Sequence, residues 1–565
     1  MNPFSTAFIK APKRSRFDFN HSNTVGIQFG ALTPTLTRFI VPGDEVTMSV
    51  EQICRLAPMP VPTFVNLKVR HDFFFVPLRL LYGVEYLDKL FGADTALPRA
   101  SVKDVATLEN FFGNFYWIYD GAAGVDQTKA GNLGGAGTPF IPGTLLDYLQ
   151  YPVFTDRNNG LSAGALYALA NHNMANFAAT FQNQPGDGRT AAFLAATNSK
   201  SYIVEPIFAY HFIWRDWYRF TGIQDTSIPE MYLDNGILAH WLNVGNPLVG
   251  AFTNAAARLD VAFPDMAPYI EGQTTPAPFL LGDLSSMKYA HLKKDMFTSV
   301  RYGNKPTVLI PTGANGTIPA LREASAVQRF LDIISITGQR YFDKVKGLFG
   351  VESVGPKDDR VQFLARYQQF IKIGEVLTTA TTSQAETGDY AGRGILIDGK
   401  YLFKRRFTEH GWLMCISSVV PDVAYDGSPR QLTDVLPLDT PLPSLAQVGD
   451  QTVTRGEVFF DYGYSLQKNN LSSIGDQFRF YAYKSAPSEV HGFFKMDTAR
   501  PWSPVIPDWP NRGNIISGSK VYPESWNYLF NDTSDEWLFG DRFFFNIDFY
   551  ESITRALPKY INYHL

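Results

Sequence analysis

Residues 64–77, FVNLKVRHDFFFVP, decide the fold class. Apolar and polar residues alternate along this stretch, which is the period of a β-strand. One face contains Val65, Leu67, Val69, Phe73 and Phe75, and the other contains Asn66, Lys68, Arg70 and Asp72. The pattern predicts a long, half-buried strand from about Phe64 to Val76. Pro77 ends this strand because proline has no N–H to donate to a ladder.

Further strands concentrate at the two ends of the chain. Early on, Val46, Met48 and Val50 alternate with polar residues. Late in the chain, five segments are rich in β-branched and aromatic residues and are separated by Gly, Pro, Asn or Asp. They are Trp412–Val420, Val458–Tyr464, Gln477–Lys484, Val490–Met496 and Arg542–Tyr550. We therefore expect a mainly β protein in which early and late strands form one antiparallel sandwich.

The middle of the chain follows a helical period instead. Helices are predicted over 166–181, 207–217, 321–337 and 339–349, with a glycine-rich surface loop over 122–137. Jelly-roll sandwiches accept such insertions because they enter at strand ends without disturbing the ladder. The predicted organisation is a basic N-terminal arm over 1–23 and a single domain over 24–565. Its strands lie in 24–76 and 406–550, and its insertions lie in 77–405.

The composition favours a protein that covers part of its exterior with copies of itself. Charged residues make up 18% of the chain and aromatic residues 15%, and obligate interfaces favour aromatic over charged residues. A large monomer packed with aromatic residues is the alternative. Two cysteines form no disulfide framework. Without a signal peptide or a long apolar run, we expect synthesis in a cytoplasm and no membrane insertion.

The sequence contains no convincing catalytic or cofactor-binding motif, so we expect neither an enzyme nor a bound cofactor. Gly394–Lys400 resembles a phosphate-binding loop, but Tyr401 follows where Ser or Thr is needed to hold Mg²⁺. Nine scattered histidines form no local metal pair. Glu409 and His410 are adjacent, so on a strand they would point to opposite faces. We interpret both as polar groups of an interface or of the edge of the core.

Two short segments combine basic and aromatic residues, as single-stranded nucleic acid sites do. The predicted DNA-binding residues are Lys10, Lys13, Arg14 and Arg16 in the arm and Lys400, Lys404, Arg405 and Arg406 later. Phe17 and Phe19 accompany the first segment, and Tyr401, Phe403 and Phe407 accompany the second. The alternatives are a solvated terminal arm and an ordinary strand end. The whole chain has a net charge of −4, so any such contact is local.

The segment 221–290 is acidic and would be repelled by nucleic acid. It contains seven acids, Asp225, Glu230, Asp234, Asp260, Asp265, Glu271 and Asp283, and two bases, Arg258 and Lys288. We expect this segment to face outward.

Motifs spread over most of the chain resemble those of the major capsid proteins of the Microviridae, and of their gokushovirus-like branch in particular. The motif residues are His71, Pro77, Arg79, Tyr210, Asp216, Arg219, Asp295, Phe297, Thr298, Thr408, Glu409, His410 and Gly411. No single motif decides the resemblance, but their order and spacing together are specific.

The resemblance implies an eight-stranded jelly roll that assembles into a T=1 icosahedral shell around circular single-stranded DNA. It implies that an insertion between the Arg219 and Thr298 motifs forms a protrusion used in host attachment. The expected partners are copies of itself, the genome, minor, pilot and scaffolding phage proteins, and a host receptor. The virion, assembled in the cytoplasm of a bacterial host, is the expected location. A sugar-binding or sugar-cleaving β-sandwich protein and a non-viral shell protein are the alternatives.

Overall fold

The computed structural model describes residues 14–90, 101–102, 143–151, 202–219, 235–236, 238, 287–300, 360–377, 390–434, 440–446, 449–458, 473–505, 521, 526–530 and 541–557. Its strands are β1 Ser15–Asp18, β2 His21–Ile27, β3 Thr33–Ile40, β4 Glu45–Leu56, β5 Leu67–Pro77, β6 Ser101–Val102, β7 Tyr202–Ile203, β8 Gln362–Leu377, β9 Tyr390–Arg406, β10 Gly411–Pro421, β11 Asp450–Thr454, β12 Ser473–Phe478 and β13 Phe543–Arg555. Its α-helices are α1 Leu78–Tyr82, α2 Val84–Leu90, α3 Leu145–Tyr148, α4 Glu205–Ile213 and α5 Arg455–Val458, and a π-helix, Trp214–Tyr218, continues α4.

Eight strands pair in two sets of four. One set, which we call the β13 sheet, has the order β2–β13–β4–β9, with β1 also on β13. The other, the β10 sheet, has the order β3–β10–β5–β8. All of these pairs are antiparallel. The later part of β8 pairs with the first residues of β9, so the two sets form one curled sheet. This strand order is that of a jelly roll, in agreement with the predicted fold class.

The core lies between the two sets of strands. Phe73 on β5 contacts Phe403 on β9 and Phe549 on β13, with ring centroids 5.7 Å and 6.4 Å apart. His71 on β5 meets Phe545 on β13 edge-on at 6.1 Å. Large aromatic rings bury much apolar area, and edge-to-face contacts add to that gain. The inward faces of both sheets therefore form one hydrophobic core.

Strand β5 is buried on both faces, so the prediction of a half-buried strand was wrong. Its polar members Lys68 and Asp72 are only 6% and 0% exposed. Helix α4 and its π-helical continuation cover the outer face, where the hydroxyl of Tyr218 donates to Oδ2 of Asp72 at 2.7 Å. Arg366 donates to both carboxylate oxygens of Asp72, and this charged partner allows the carboxylate to be buried. The alternation of apolar and polar residues in β5 distinguishes its two faces, but it does not show that the helical insertion covers the polar one.

Two of the eight strands lie inside the region predicted as insertion, which corrects the expectation that 77–405 holds no sandwich strands. Strand β8 carries three Gln, one Arg and one Lys among its apolar residues, and β9 carries Gly, Asp and Lys among its own. Both strands expose much of one face, and strands of that kind give a weaker hydrophobic pattern than buried ones. The sheet also includes residues 15–18 and 21–23 of the predicted arm.

Two late segments predicted as strands adopt other structure. The prediction over Gln477–Lys484 holds only to Phe478, because Phe480 takes a left-handed backbone with φ 61° and a 3₁₀ helix follows. Residues 492–495 form a 3₁₀ helix that begins at Gly492, with φ 64°, where a strand was predicted over Val490–Met496. Composition indicated β structure at both sites, and the positive φ angles prevent it.

Other predictions agree with the described residues or lie outside them. Strands β10 and β13 cover the predicted Trp412–Val420 and Arg542–Tyr550, and α4 with the π-helix covers 207–217. Val458 belongs to α5, and the rest of the strand predicted there lies outside the described residues. The predicted helices over 166–181, 321–337 and 339–349, the loop over 122–137, and Lys10 and Lys13 also lie outside them. So do all seven acids of the segment 221–290.

Candidate nucleic-acid interface

The structure brings the two basic segments together at one end of the outward face of the β13 sheet. Arg16 on β1 pairs with Thr554, which pairs on its other side with Glu45, which pairs with Arg406. Directly opposed residues in antiparallel strands point to the same face, so these side chains form a row across four strands. Lys404 belongs to the neighbouring row. We call Arg14, Arg16, Lys404 and Arg406, all of them exposed, the basic cluster.

Glu45 lies in the middle of the basic cluster. The Nζ of Lys404 is 2.8 Å from Oε1 of Glu45. This hydrogen bond is the main reason that the pKa of Glu45 is lowered, and the charges of Lys404, Arg14 and Arg406 lower it further. The same hydrogen bond raises the pKa of Lys404, while the charge of Arg16 opposes that change. Lys404, Arg14 and Arg406 therefore all act on the carboxylate of Glu45, and Arg16 acts on Lys404.

The N-terminal side of the basic cluster is held in place by contacts to the sandwich. The guanidinium of Arg14 lies against Gly43, in the turn before β4. Phe19 donates its backbone N–H to the carbonyl of Glu551 at 2.8 Å. The guanidinium of Arg38 lies 5.0 Å from the ring centroid of Phe19, and that of Arg555 lies 6.0 Å from it. Backbone pairing and cation–π contacts together fix this segment on the sheet.

Two other predicted DNA-binding residues that the structure describes, Arg405 and Lys400, do not join the basic cluster. Arg405 donates to the side-chain oxygen of Gln362 at 2.8 Å and lies 5.9 Å from the ring of Phe407. It therefore faces β8 at the rim of the sandwich. Lys400 is exposed on the same strand, next to a register shift in the pairing of β4 with β9.

Of the aromatic residues predicted to accompany the cations, Tyr401 is the one presented to solvent with its side chain 57% exposed. Phe403 packs against Phe73 in the core, and Phe407 is buried against Phe75, with centroids 4.5 Å apart. Composition alone could not separate these roles. The bulge between β4 and β9 changes the direction of alternate side chains, and a bulge leaves no clear sequence signal here.

One exposed aromatic residue on the same face was missed. Tyr550 is 45% exposed and donates its hydroxyl to Oε2 of Glu51 at 3.1 Å. The signal was present, because Tyr550 occupies a polar position in the alternation of β13 and Phe549 before it is buried. Because tyrosine also favours strands, its presence in β13 does not by itself indicate a binding residue.

The outward face away from the basic cluster has mixed character. Asp548 accepts a hydrogen bond from the hydroxyl of Ser22 at 2.5 Å, and Glu51 accepts the one from Tyr550. Ile53 and Ile397, directly opposed across β4 and β9, are 39% and 72% exposed. Arg55, farther along β4, is exposed on this face as well, so the face beyond the basic cluster combines acidic, apolar and single basic side chains.

Several motif residues join loops to the sandwich. Arg79 donates through Nε to Oε2 of Glu409 at 2.8 Å, and the backbone N–H of Leu78 donates to the carbonyl of His410 at 2.9 Å. Pro77 ends β5 immediately before these contacts. The ring of His410 stacks near Phe39 at 6.1 Å. Glu409 and His410 thus turn to different partners, and the adjacent Thr408 is exposed.

Asp295 organises the loop that contains Phe297 and Thr298. Its Oδ1 accepts the backbone N–H groups of both residues, at 2.9 Å and 2.8 Å. Its Oδ2 accepts the hydroxyl of Tyr425 at 2.5 Å, and the Phe297 ring packs edge-on against that tyrosine at 4.7 Å. The motif therefore fastens this loop to the segment that follows β10.

Tyr210, Asp216 and Arg219 mark the helical insertion over β5. The Tyr210 hydroxyl accepts the backbone N–H of Lys288 at 2.9 Å, and burial raises its pKa. Asp216 accepts the backbone N–H of Val361 at 2.9 Å. Arg219 follows the π-helix in extended conformation. These contacts attach two other chain segments to the helix that covers β5.

A metal site, a reactive thiol and a membrane-spanning helix each have structural requirements, and the described residues do not meet them. Within those residues, no three or more His, Cys, Asp or Glu side chains are arranged to hold a metal ion. Cys54 and Cys415 are buried free thiols, and burial raises the pKa of Cys415 to about 12. No helix among the described residues is long and apolar enough to cross a membrane.

The strand order restricts the protein to a few known classes. Jelly rolls with this strand order occur in viral capsid proteins, lectins and cupins, and an exposed basic face favours the first. Sequence comparison then identifies the family: the family described as "Capsid protein (F protein)" matches residues 7–105 and 253–502. The chain belongs to this family of phage capsid proteins, and the resemblance to the Microviridae is confirmed.

Two relatives are similar over nearly their whole length. The capsid protein VP1 of Chlamydia phage 1 is 22% identical over 559 residues, covering 87% of this chain and 86% of the relative. The capsid protein VP1 of Bdellovibrio phage phiMH2K is 24% identical over 503 residues, covering 86% and 83%. The similarity covers more than four fifths of this chain and of each relative.

Proposed function

We propose that this protein is the major coat subunit of a small phage, and that it assembles into a T=1 icosahedral shell enclosing circular single-stranded DNA. The basic cluster is the observation that carries the DNA part of the proposal. Four exposed cations from two distant segments gather on one sheet face, where phosphates can reach them together. Family membership supports the assembly part.

The sheet face that carries the basic cluster would line the inside of the shell, and the acidic segment 221–290 would lie outside. Phosphate attracts the first surface and repels the second, so packaged DNA favours this orientation. The outer segment would contact the host receptor. Minor, pilot and scaffolding proteins of the phage are proposed partners, and assembly would take place in the bacterial cytoplasm. A structural role of this kind needs no catalytic group.

A charge-matched pair of variants tests the proposal. The first replaces Arg14, Arg16, Lys404 and Arg406 with Ala. The control variant removes the same charge from four exposed lysines elsewhere, Lys293, Lys294, Lys484 and Lys495. Both would be produced with the partner proteins of the phage, and particles would be examined by electron microscopy and by nuclease-protected DNA content.

The cluster variant should lose packaged DNA while the control retains it. In solution, losing four phosphate contacts should reduce the salt slope of single-stranded DNA affinity by about 3, at about 0.7 per contact. Equal DNA content in both variants would remove the DNA role. A wild-type chain that stays monomeric with all partners present and binds or cleaves glycans would replace the coat role with a carbohydrate one.

A further inference from the structure

Two exposed tyrosines flank one serine beside the basic cluster. Tyr550 on β13 and Tyr401 on β9 are both register partners of Ser49 on β4, one on each side. Neighbouring strands lie about 4.8 Å apart, so the two backbone attachment points are about 10 Å apart. The side chains are 45% and 57% exposed. The sheet therefore holds two aromatic rings at a fixed spacing with a small residue between them.

The tyrosines and the cations belong to one continuous surface. Thr47, the partner of Lys404, lies two residues before Ser49 on β4, which is about 7 Å along the strand. Tyr401 is close enough to Lys404 that its hydroxyl contributes to the raised pKa of that lysine, after the larger effect of Glu45. A backbone phosphate held by Lys404 would thus have an aromatic ring within reach of the attached base.

Small side chains leave this part of the face open. Ser49 and Thr47 form the floor on β4, and Ser552 lies beside Thr47 on β13. The hydrogen bond from Tyr550 to Glu51 holds that hydroxyl near the sheet and limits the freedom of the ring. An aromatic ring that is already positioned loses little conformational entropy when a base stacks on it.

We propose that Tyr401 and Tyr550 are stacking platforms for unpaired bases and that they make this face selective for single-stranded over duplex DNA. The proposal rests on the proposed function and deepens it. Duplex DNA keeps its bases stacked on one another and offers only its phosphates to the face, so it would engage the basic cluster alone. A single strand can offer phosphates to the cluster and bases to the tyrosines.

The test measures the affinity of the purified, unassembled full-length chain for a fluorescein-labelled oligothymidylate and for a duplex of equal length. Tyr401→Ala and Tyr550→Ala should each weaken oligothymidylate binding by at least about five-fold. Neither change should alter duplex affinity or the salt slope, because no charge is removed. Tyr401→Phe and Tyr550→Phe retain the ring and should retain the affinity. Tyr483→Ala, at an exposed tyrosine on a separate 3₁₀ helix, is the control for ring loss elsewhere.

The outcomes separate this inference from the proposed function. Full oligothymidylate affinity in both alanine variants, or equal losses on duplex and single strand, would overturn the stacking role. The basic cluster variant would then still report on phosphate binding. Loss of affinity in the phenylalanine variants would show that the hydroxyl acts rather than the ring, which also overturns the proposal. Thermal melting of each variant confirms that these exposed substitutions leave the fold intact.

Discussion

The Nε of Arg79 donates to Oε2 of Glu409 across 2.8 Å, joining the first turn after β5 to the turn before β10. Pro77 and Gly411, the register partners at the adjoining ends of these strands, lie next to this contact. Arg79, in the first fifth of the chain, thus holds Glu409, in its last third, in place. The ion pair closes the loop end of the β10 sheet where the insertions begin.

Breaking this pair should lower stability moderately. The side chains of Arg79 and Glu409 are 19% and 29% exposed, so water screens part of the attraction. We expect a coupling free energy of about 1 kcal/mol from Arg79→Ala, Glu409→Ala and the double variant in urea unfolding. His410→Ala serves as the neighbouring control, since its ring contacts Phe39 instead. Strict additivity of the two single changes would show that the pair contributes nothing.

The sequence predicted the β class, the location of most core strands and the two basic segments. Alternation was clear in β4, β5 and β13, where one face enters a large apolar core. Strands β8 and β9 were missed because polar residues fill their exposed faces. The position of each insertion over the strands depends on tertiary contacts, such as the hydrogen bond from Tyr218 to Asp72. Local sequence patterns do not predict such contacts.

For the candidate site, residue types were predictable but their grouping was not. Arg16 and Arg406 are far apart in sequence and share one face only because β1, β13, β4 and β9 are neighbours in the sheet. The sequence alone does not show which of Arg405 and Arg406 belongs to the basic cluster. The register does, because Arg406 pairs with Glu45 whereas Arg405 donates to Gln362. Tyr550 entered the site for the same reason, through its pairing with Ser49.

Glu45→Gln should strengthen DNA binding. The carboxylate of Glu45 forms an ion pair with Lys404, so a phosphate must displace it to bind this lysine. The neutral amide of the Gln variant would bind the lysine more weakly and so reduce this competition. We expect tighter oligothymidylate binding and a steeper salt slope, by up to about 0.7 for one additional phosphate contact. Glu489→Gln, at an exposed carboxylate outside this sheet, is the matched control and should leave DNA affinity unchanged.

The pKa of Glu45 gives this prediction a second readout. Because that pKa lies below its ordinary value, Glu45 keeps its charge at neutral pH and loses it only in acid. Wild-type binding should therefore tighten as the pH falls through that lowered pKa, and the Gln variant should lack this increase. Weaker binding by the Gln variant would contradict competition between Glu45 and phosphate.

His71 should make the subunit sensitive to mild acid. Its ring is fully buried, with Nδ1 2.7 Å from the hydroxyl of Ser417 and Nε2 2.7 Å from the side-chain oxygen of Gln52. Burial lowers its pKa from 6.5 to about 3. Between these values the unfolded chain binds a proton that the native state excludes, so stability is complete above pH 6.5 and falls below it.

The loss attributable to His71 should reach roughly 2 kcal/mol at pH 5, at about 1.4 kcal/mol per pH unit. Urea unfolding of the unassembled subunit at pH 7 and pH 5 measures it. His71→Gln should be less stable at pH 7 but should show a smaller pH effect. His491→Gln, at an imidazole whose side chain is 75% exposed, should leave the pH effect unchanged. An identical pH dependence in the His71 variant would assign the acid sensitivity to other groups.

Gly411 is required by its close contact with β5, and Gly411→Ala should destabilise the fold. A Cβ at this position would lie 2.5 Å from the carbonyl oxygen of Val76 and 2.6 Å from the Phe75 ring. Backbone and a buried ring cannot move aside cheaply, so we expect a loss of about 1–3 kcal/mol in urea unfolding. Gly399→Ala is the matched control, because its Cβ would meet Cγ of Glu51 at 2.5 Å, on an exposed side chain that can rotate away. Equal losses in the two variants would mean that the cost comes from the strand backbone rather than from the contact with β5.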